Sequence, residues 1–226
     1  MCFCLIPAAA GDQATLDDAL GAYRKAFPTR FPLTRSYDSF IRCSGCILYI
    51  HSWDEQPEDP ESIIQNLRLR LGIDISGFRM GFSNPKRDLS FLKEAIEEAL
   101  TAAVSSHIEK ESFRSFSEIG SDAFILPFLD QPRYKDFYEK ILALITTHDE
   151  RYKAGLLDTL LCYTESDGDI NLAAGKLFQH PNTIRHRMER IKGFMGTASS
   201  GDIHVQLHVF SRMHKIRNIF GNNPLI

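Results

Sequence analysis

A chain of 226 residues, 43 % of them hydrophobic, has room and apolar material for one large or two ordinary domains. Its formal charge of −3 hides an asymmetry: from Gln179 to Ile226, seven lysines and arginines face only Glu189 and Asp202, so this segment carries +5 and the residues before it −8. A basic end on an acidic body points to a local anionic partner rather than general stickiness. No apolar run approaches the roughly eighteen residues that cross a bilayer, so no membrane-spanning helix is expected.

The first residues, MCFCLIPAAAGDQ, lack the basic start of a signal peptide, and their apolar run is short. A soluble, cytoplasmic protein is the expectation. Because the chain starts directly on a strand, an upstream sensor domain could precede it. Residues 3–8 read as a buried strand. LDDALGAYRKAF then repeats Leu16, Ala19, Leu20, Tyr23 and Phe27 at helical spacing. SYDSFIRCSGCILYIHSW gives two strands around a Ser44-Gly45 hairpin turn. A second helix is expected from about Pro60 to Leu71, with Ile63, Ile64, Leu67 and Leu71 on one face. GFRMGFS alternates as a strand. After the Asn84-Pro85 turn, a third helix runs from about Asp88 to Val104 on Leu92, Ala95, Ile96, Ala99 and Ala103.

The resulting order, β-α-β-β-α-β-α, is the split βαβ plan, an antiparallel sheet backed by helices on one face. That plan alone implies no chemistry. The cysteines Cys2, Cys4, Cys43 and Cys46 form C-x-C and C-x-x-C pairs that could suggest zinc. The topology argues against it: the first pair begins the first strand and the second flanks a turn at the opposite end of the sheet. At about 3.3 Å per residue the pairs would lie more than about 10 Å apart. With Cys162 the thiols number five, and reduced thiols are the default. Residues 113–150 read as a connecting helical region, with Phe137, Ile141, Leu144 and Ile145 as one stripe.

The last third holds the most specific signal. Residues 152–165 form an amphipathic helix with Leu156, Leu157, Leu160 and Leu161 inward, and Asp167-Gly168-Asp169 breaks it. Asp169 can cap the next helix, which buries Ile170, Ala173, Ala174 and Leu177. Gln179-His180 makes a turn, and Pro181 sits in the first turn of a new helix, where proline is welcome. There Ile184, Met188, Ile191 and Met195 are spaced to form one buried face. Asn182, His186 and Glu189 point away from it, Thr183, Arg185 and Arg190 flank the outer side, and Arg187 lies nearer the core edge. A helix, a tight turn and a second helix with an exposed basic N-terminal face is the arrangement that enters a DNA major groove. The helix start also offers N–H groups and a positive dipole to phosphate. A helical hairpin with a solvated basic face is the simpler reading of the same spacing, and the turn lacks the glycine many such motifs carry.

The stretch GDINLAAGKLFQHPNTIRHRMERIKGFMG closely resembles the C-terminal DNA-binding domain of PucR-type bacterial regulators, including those of the CdaR kind. The L-F-x-H-P-N-T turn and R-x-R-x-x-R-I helix carry the likeness, which extends from about Tyr152 to Phe220. It implies double-stranded DNA as partner, read by His180, Pro181, Asn182, Thr183, Arg185, His186, Arg187 and Arg190. It further implies a homodimer or higher homo-oligomer on paired half-sites, and an effector whose identity the sequence does not name. The first half resembles the degenerate GGDEF-like domain often found upstream in such regulators. Active cyclases of that kind need carboxylates at the end of the first strand and in the hairpin to hold magnesium. Here those places read Ile6-Pro7-Ala8-Ala9 and Arg42-Cys43-Ser44-Gly45-Cys46.

The expected fold is therefore α+β: a ferredoxin-like, GGDEF-like antiparallel sheet domain over 1–112, a connecting helical region over 113–150 and an all-α helix-turn-helix domain over 151–226. No catalytic residue, metal or cofactor is assigned. The alternatives are a nucleotide-binding or vestigial cyclase-like domain carrying a helix-turn-helix, and a protein-interaction module using the basic helices. Salt-dependent duplex binding separates the last from a regulator, and magnesium-dependent GTP turnover would revive an enzyme.

Overall fold

The computed structural model describes residues 1–9, 12–26, 36–43, 45–53, 59–71, 75–196 and 200–220. Ser44, one half of the expected hairpin turn, lies outside them, as does Phe27. The chain forms two compact units, one built on Met1–Pro127 and one on Phe128–Asn218. Among the described residues, no helix is long and apolar enough to cross a membrane.

The first unit runs β1 (Cys2–Pro7), α1 (Gln13–Ala26), β2 (Ser36–Arg42), β3 (Ile47–Trp53), α2 (Pro60–Leu71), β4 (Phe78–Phe82), α3 (Leu92–Glu109), β5 (Phe113–Ser115) and the short α4 (Asp122–Ile125). The strand order is β2-β3-β1-β4-β5. β1 is antiparallel to both β3 and β4, and β2 is antiparallel to β3. The β-α-β-β-α-β-α order read from the sequence holds. Two features of that expectation are corrected.

First, the sheet is mixed. β5 lies parallel to β4, with Met80, Gly81 and Phe82 opposite Phe113, Arg114 and Ser115. A parallel neighbour needs a long crossover, and α3 supplies it. Three residues are too few to show alternation, so 113–115 read as the start of a helical region.

Second, helices cover both faces. Every residue of β1 is buried, as a central strand covered on both sides must be. Phe3 and Leu5 share a face with Ile47, Tyr49, Phe78, Met80 and Phe82, and there they meet Leu16 and Ala19 of α1 and Ile63 and Leu67 of α2. Gly81 has the opposite parity, and α3 lies against it. A Cβ at Gly81 would stand 2.0 Å from the Ala103 nitrogen. Buried Ala95, Ala99, Ala102 and Ala103 give α3 the flat side this approach needs.

The cysteine geometry is a third correction. β1 has only six residues, so Cys4 is mid-strand, opposite Leu48, and Cys46 falls on its diagonal across β3. The two cysteine pairs therefore lie beside each other on neighbouring strands rather than more than about 10 Å apart. All five cysteines are free.

The second unit is helical: α5 (Pro132–Tyr152), α6 (Leu156–Thr164), α7 (Ile170–Lys176), α8 (Pro181–Met195) and α9 (Ser200–Phe220). α5 stops at Lys153, whose φ is +52°, and its Asp149 carboxylate accepts from the Leu156 and Leu157 N–H groups at 2.8 and 3.0 Å. One side chain thus caps the start of α6, which begins four residues later than the sequence suggested. Leu156 and Leu160 are buried, and Leu157 and Leu161 are half-buried. α9 adds Ile203, Leu207, Phe210 and Met213 to the core, and its His214 Nδ1 lies 2.9 Å from the Tyr138 hydroxyl of α5.

Candidate nucleic-acid interface

The site is built on α7, a tight turn and α8. Asp169 caps α7 as its sequence position implies, accepting from the N–H groups of Asn171 at 2.7 Å and Leu172 at 3.0 Å. Ala173 and Ala174 are buried, and their small side chains let α6, α7 and α8 pack on one another. α7 ends in a Schellman arrangement: the Gln179 N–H donates to the Ala174 carbonyl at 3.0 Å and the Phe178 N–H to that of Gly175 at 3.3 Å. The left-handed position of such an end normally holds glycine. Here it is Phe178, at φ +54°, and its side chain is 94 % exposed.

α8 turns its predicted stripe inward. Ile184, Met188 and Ile191 are buried, and Met195 is half-buried. Pro181 occupies the first turn. His180 caps the helix, its Nδ1 accepting from the Asn182 N–H at 3.2 Å, while its carbonyl accepts from Thr183 at 2.9 Å. The N–H groups expected to be open to phosphate are therefore engaged by His180, which changes how this end could meet DNA. The helix dipole remains, but contact falls to side chains.

Those side chains are unequal. Asn182, Arg185, His186, Glu189 and Arg190 are exposed, and Thr183 is half-buried. The Asn182 amide oxygen accepts from the Arg185 guanidinium, one turn along the helix. His186 Nδ1 lies 3.7 Å from the Glu189 carboxylate. The Arg190 guanidinium sits 5.5 Å from the centre of the Phe194 ring. Arg187 is different: it is half-buried, donates to the Thr159 hydroxyl of α6 at 3.1 Å and lies beside Gly155. It fastens α8 to α6, so only part of the charge read from the R-x-R-x-x-R pattern faces solvent.

Asn182, Arg185, His186 and Arg190 form a polar and cationic strip on one side of a helix whose other side is sealed in the core. Fork-shaped guanidinium groups and a side-chain amide are the donors that pair with base edges and phosphates. Sequence spacing missed Phe178. The available signal was the absent glycine at a helix end, combined with an aromatic residue beside the polar turn.

Residues 156–213 match the PucR C-terminal helix-turn-helix domain. The chain is 24 % identical over 127 residues to the DNA-binding transcriptional activator AdeR of Bacillus subtilis, an alignment covering 55 % of this chain and 30 % of AdeR. It is 23 % identical over 168 residues to the purine catabolism regulatory protein of the same organism, covering 73 % of this chain and 32 % of that protein. An uncharacterized protein of Mycobacterium tuberculosis is 49 % identical over 41 residues, 18 % of this chain and 10 % of its own. The chain thus spans about a third of the length of the two Bacillus regulators.

Proposed function

We propose that this chain, which carries a helix-turn-helix domain of the PucR C-terminal type, is a sequence-specific DNA-binding regulator of transcription that acts in the cytoplasm. One observation carries the reading: within the matched residues, Asn182, Arg185, His186 and Arg190 stand exposed on α8, opposite the buried stripe of Ile184, Met188 and Ile191. α8 is then the element that enters the major groove. Selecting duplexes from a random-sequence library and titrating the enriched sequence tests it.

The first unit is read as a degenerate GGDEF-like domain that senses an effector or dimerises. The strand order β2-β3-β1-β4 with antiparallel neighbours supports the split βαβ plan. Neither the end of β1 at Ile6-Pro7-Ala8-Ala9 nor the hairpin segment 42–46 offers a carboxylate for magnesium, which argues against cyclase chemistry. A homodimer is proposed because one recognition helix reads few base pairs and paired half-sites need two. Light scattering should give twice the chain mass on duplex; a monomer with and without DNA contradicts this.

Phe178 is placed in the same reading. It breaks two local rules at once, a left-handed backbone without glycine and an exposed aromatic ring, with no gain inside the domain to offset them. A contact to a sugar or a thymine methyl would supply that gain on the duplex. Phe178→Gly should therefore raise stability by roughly 0.5–1 kcal/mol, by relieving the backbone, and lower duplex affinity severalfold. Calorimetry and a binding titration on the one variant read both signs. Higher stability with unchanged affinity would leave Phe178 out of the interface.

A further inference from the structure

The sheet face under α3 carries thiols that DNA binding does not use. Cys2 and Cys4 alternate with Phe3 and Leu5 and so point away from the α1/α2 core. Cys46, on β3's approach, shares their face. β2 and β3 pair as far as Arg42 and Ile47, and the Cys43 N–H then donates to the Cys46 carbonyl at 2.9 Å. Cys43 and Cys46 therefore stand opposite each other on the last rung before the turn. Cys46 thus has Cys43 opposite it and Cys4 on its diagonal, whereas Cys2 turns its sulfur to the Phe3 carbonyl at 3.8 Å.

We infer that Cys43 and Cys46 are a peroxide-sensitive dithiol that closes to a reversible disulfide, with Cys43 as the sulfur that meets the peroxide and Cys46 as the sulfur that then closes the bond. Geometry selects this pair. Opposite residues of an antiparallel ladder have Cα atoms about 4.5–5.5 Å apart, within the roughly 4.4–6.8 Å a disulfide spans. The Cys4–Cys46 diagonal, about 7–8 Å in such ladders, falls outside it. Access agrees: Cys43 is half-buried, while Cys2, Cys4 and Cys46 are buried. Among the described residues no group of three or more His, Cys, Asp or Glu could hold a metal ion, so the cluster is read as thiol chemistry rather than a zinc site.

The acid–base character follows the same division. Burial pushes Cys2 up to about 12 and raises Cys4 and Cys43. Cys46 alone of the four is lowered, first by the hydrogen bond from Cys4 and with help from Cys43, against the opposing effect of burial. The thiolate therefore collects on Cys46. In the first step the Cys43 sulfur, having released its proton, attacks one peroxide oxygen. The O–O bond breaks, hydroxide leaves and is protonated to water, and Cys43 becomes a sulfenic acid. In the second step the Cys46 thiolate attacks the Cys43 sulfur, the S–O bond breaks, and hydroxide leaves and takes up the proton Cys46 released to give a second water. Two thiols are oxidised and one peroxide is reduced to two waters. The high affinity of Cys43 for its proton makes the first step slow, so sulfenic acid should not accumulate in the native chain.

The test treats the reduced full chain with hydrogen peroxide, alkylates it, digests it and weighs the peptide containing both residues. The expected result is loss of two hydrogens within that one peptide, reversed by dithiothreitol. Dimedone should label Cys43 in Cys46→Ser but hardly in the native chain. Cys4→Ser should slow closure without preventing it, and Cys162→Ser should change nothing. A Cys4–Cys46 bond, an intermolecular bond, free alkylation of both thiols after peroxide, or zinc retained on the cluster would each overturn the proposal.

Discussion

Arg185→Ala is expected to weaken binding to the selected duplex by ten- to a hundredfold while leaving the melting temperature within a degree or two. Arg185 is exposed, and its hydrogen bond runs to Asn182 on its own helix, so little packing is lost. A guanidinium that pairs with a base edge contributes roughly 1–3 kcal/mol, and each 1.4 kcal/mol is a factor of ten. If Arg185 instead meets a phosphate, all sequences should weaken alike and the salt slope should flatten by about one. Arg185→Lys separates these, because lysine keeps the charge and loses the fork. Sequence spacing places Arg187 nearer the core edge than Arg185 but reads both as contacts to DNA. In the fold they differ: Arg187→Ala would also remove the bond to Thr159, so its loss of binding would come with a loss of stability of about 1 kcal/mol.

The largest stability effect is expected at Gly81. A Cβ there would lie 2.0 Å from the Ala103 nitrogen, 2.4 Å from the Ala102 carbonyl carbon and 2.5 Å from the Ala99 oxygen. These are backbone atoms, which no rotamer change can move aside, so α3 must shift off β4 and β1. Gly81→Ala should cost more than about 3 kcal/mol, a large part of the roughly 5–15 kcal/mol that holds a domain. Thermal melting should show an early transition together with loss of α3 protection in hydrogen exchange. A melting curve like that of the native chain would mean that α3 does not lie on Gly81 as described.

What could be read in advance was what periodicity and capping chemistry encode. Ile184, Met188 and Ile191 at spacings of four and three had to be inward, and Asp169 before a short helix had to cap it. The order of strands and helices followed from alternation and turn residues. Relations across the sheet were harder. Which helix covers which face depends on crossovers that a single strand does not record, and only Gly81 hinted at α3. The cysteine contact depends on register, so an estimate along the strand missed a diagonal between β1 and β3. At the interface, composition named the cations, but tertiary partners divided them: Thr159 claims Arg187 and His180 claims the first free N–H groups of α8.

The exposed strip of α8 is the surface proposed to read duplex DNA. The most direct test is a salt titration of the full chain against the duplex enriched from a random library, with a scrambled duplex beside it and Arg185→Ala alongside. The expected result is enrichment of one sequence, at least about a thousandfold preference over the scramble, a steep fall in affinity with salt, and a tenfold or greater loss in the variant. No enriched sequence, or equal binding by native chain and variant to both duplexes, would contradict it.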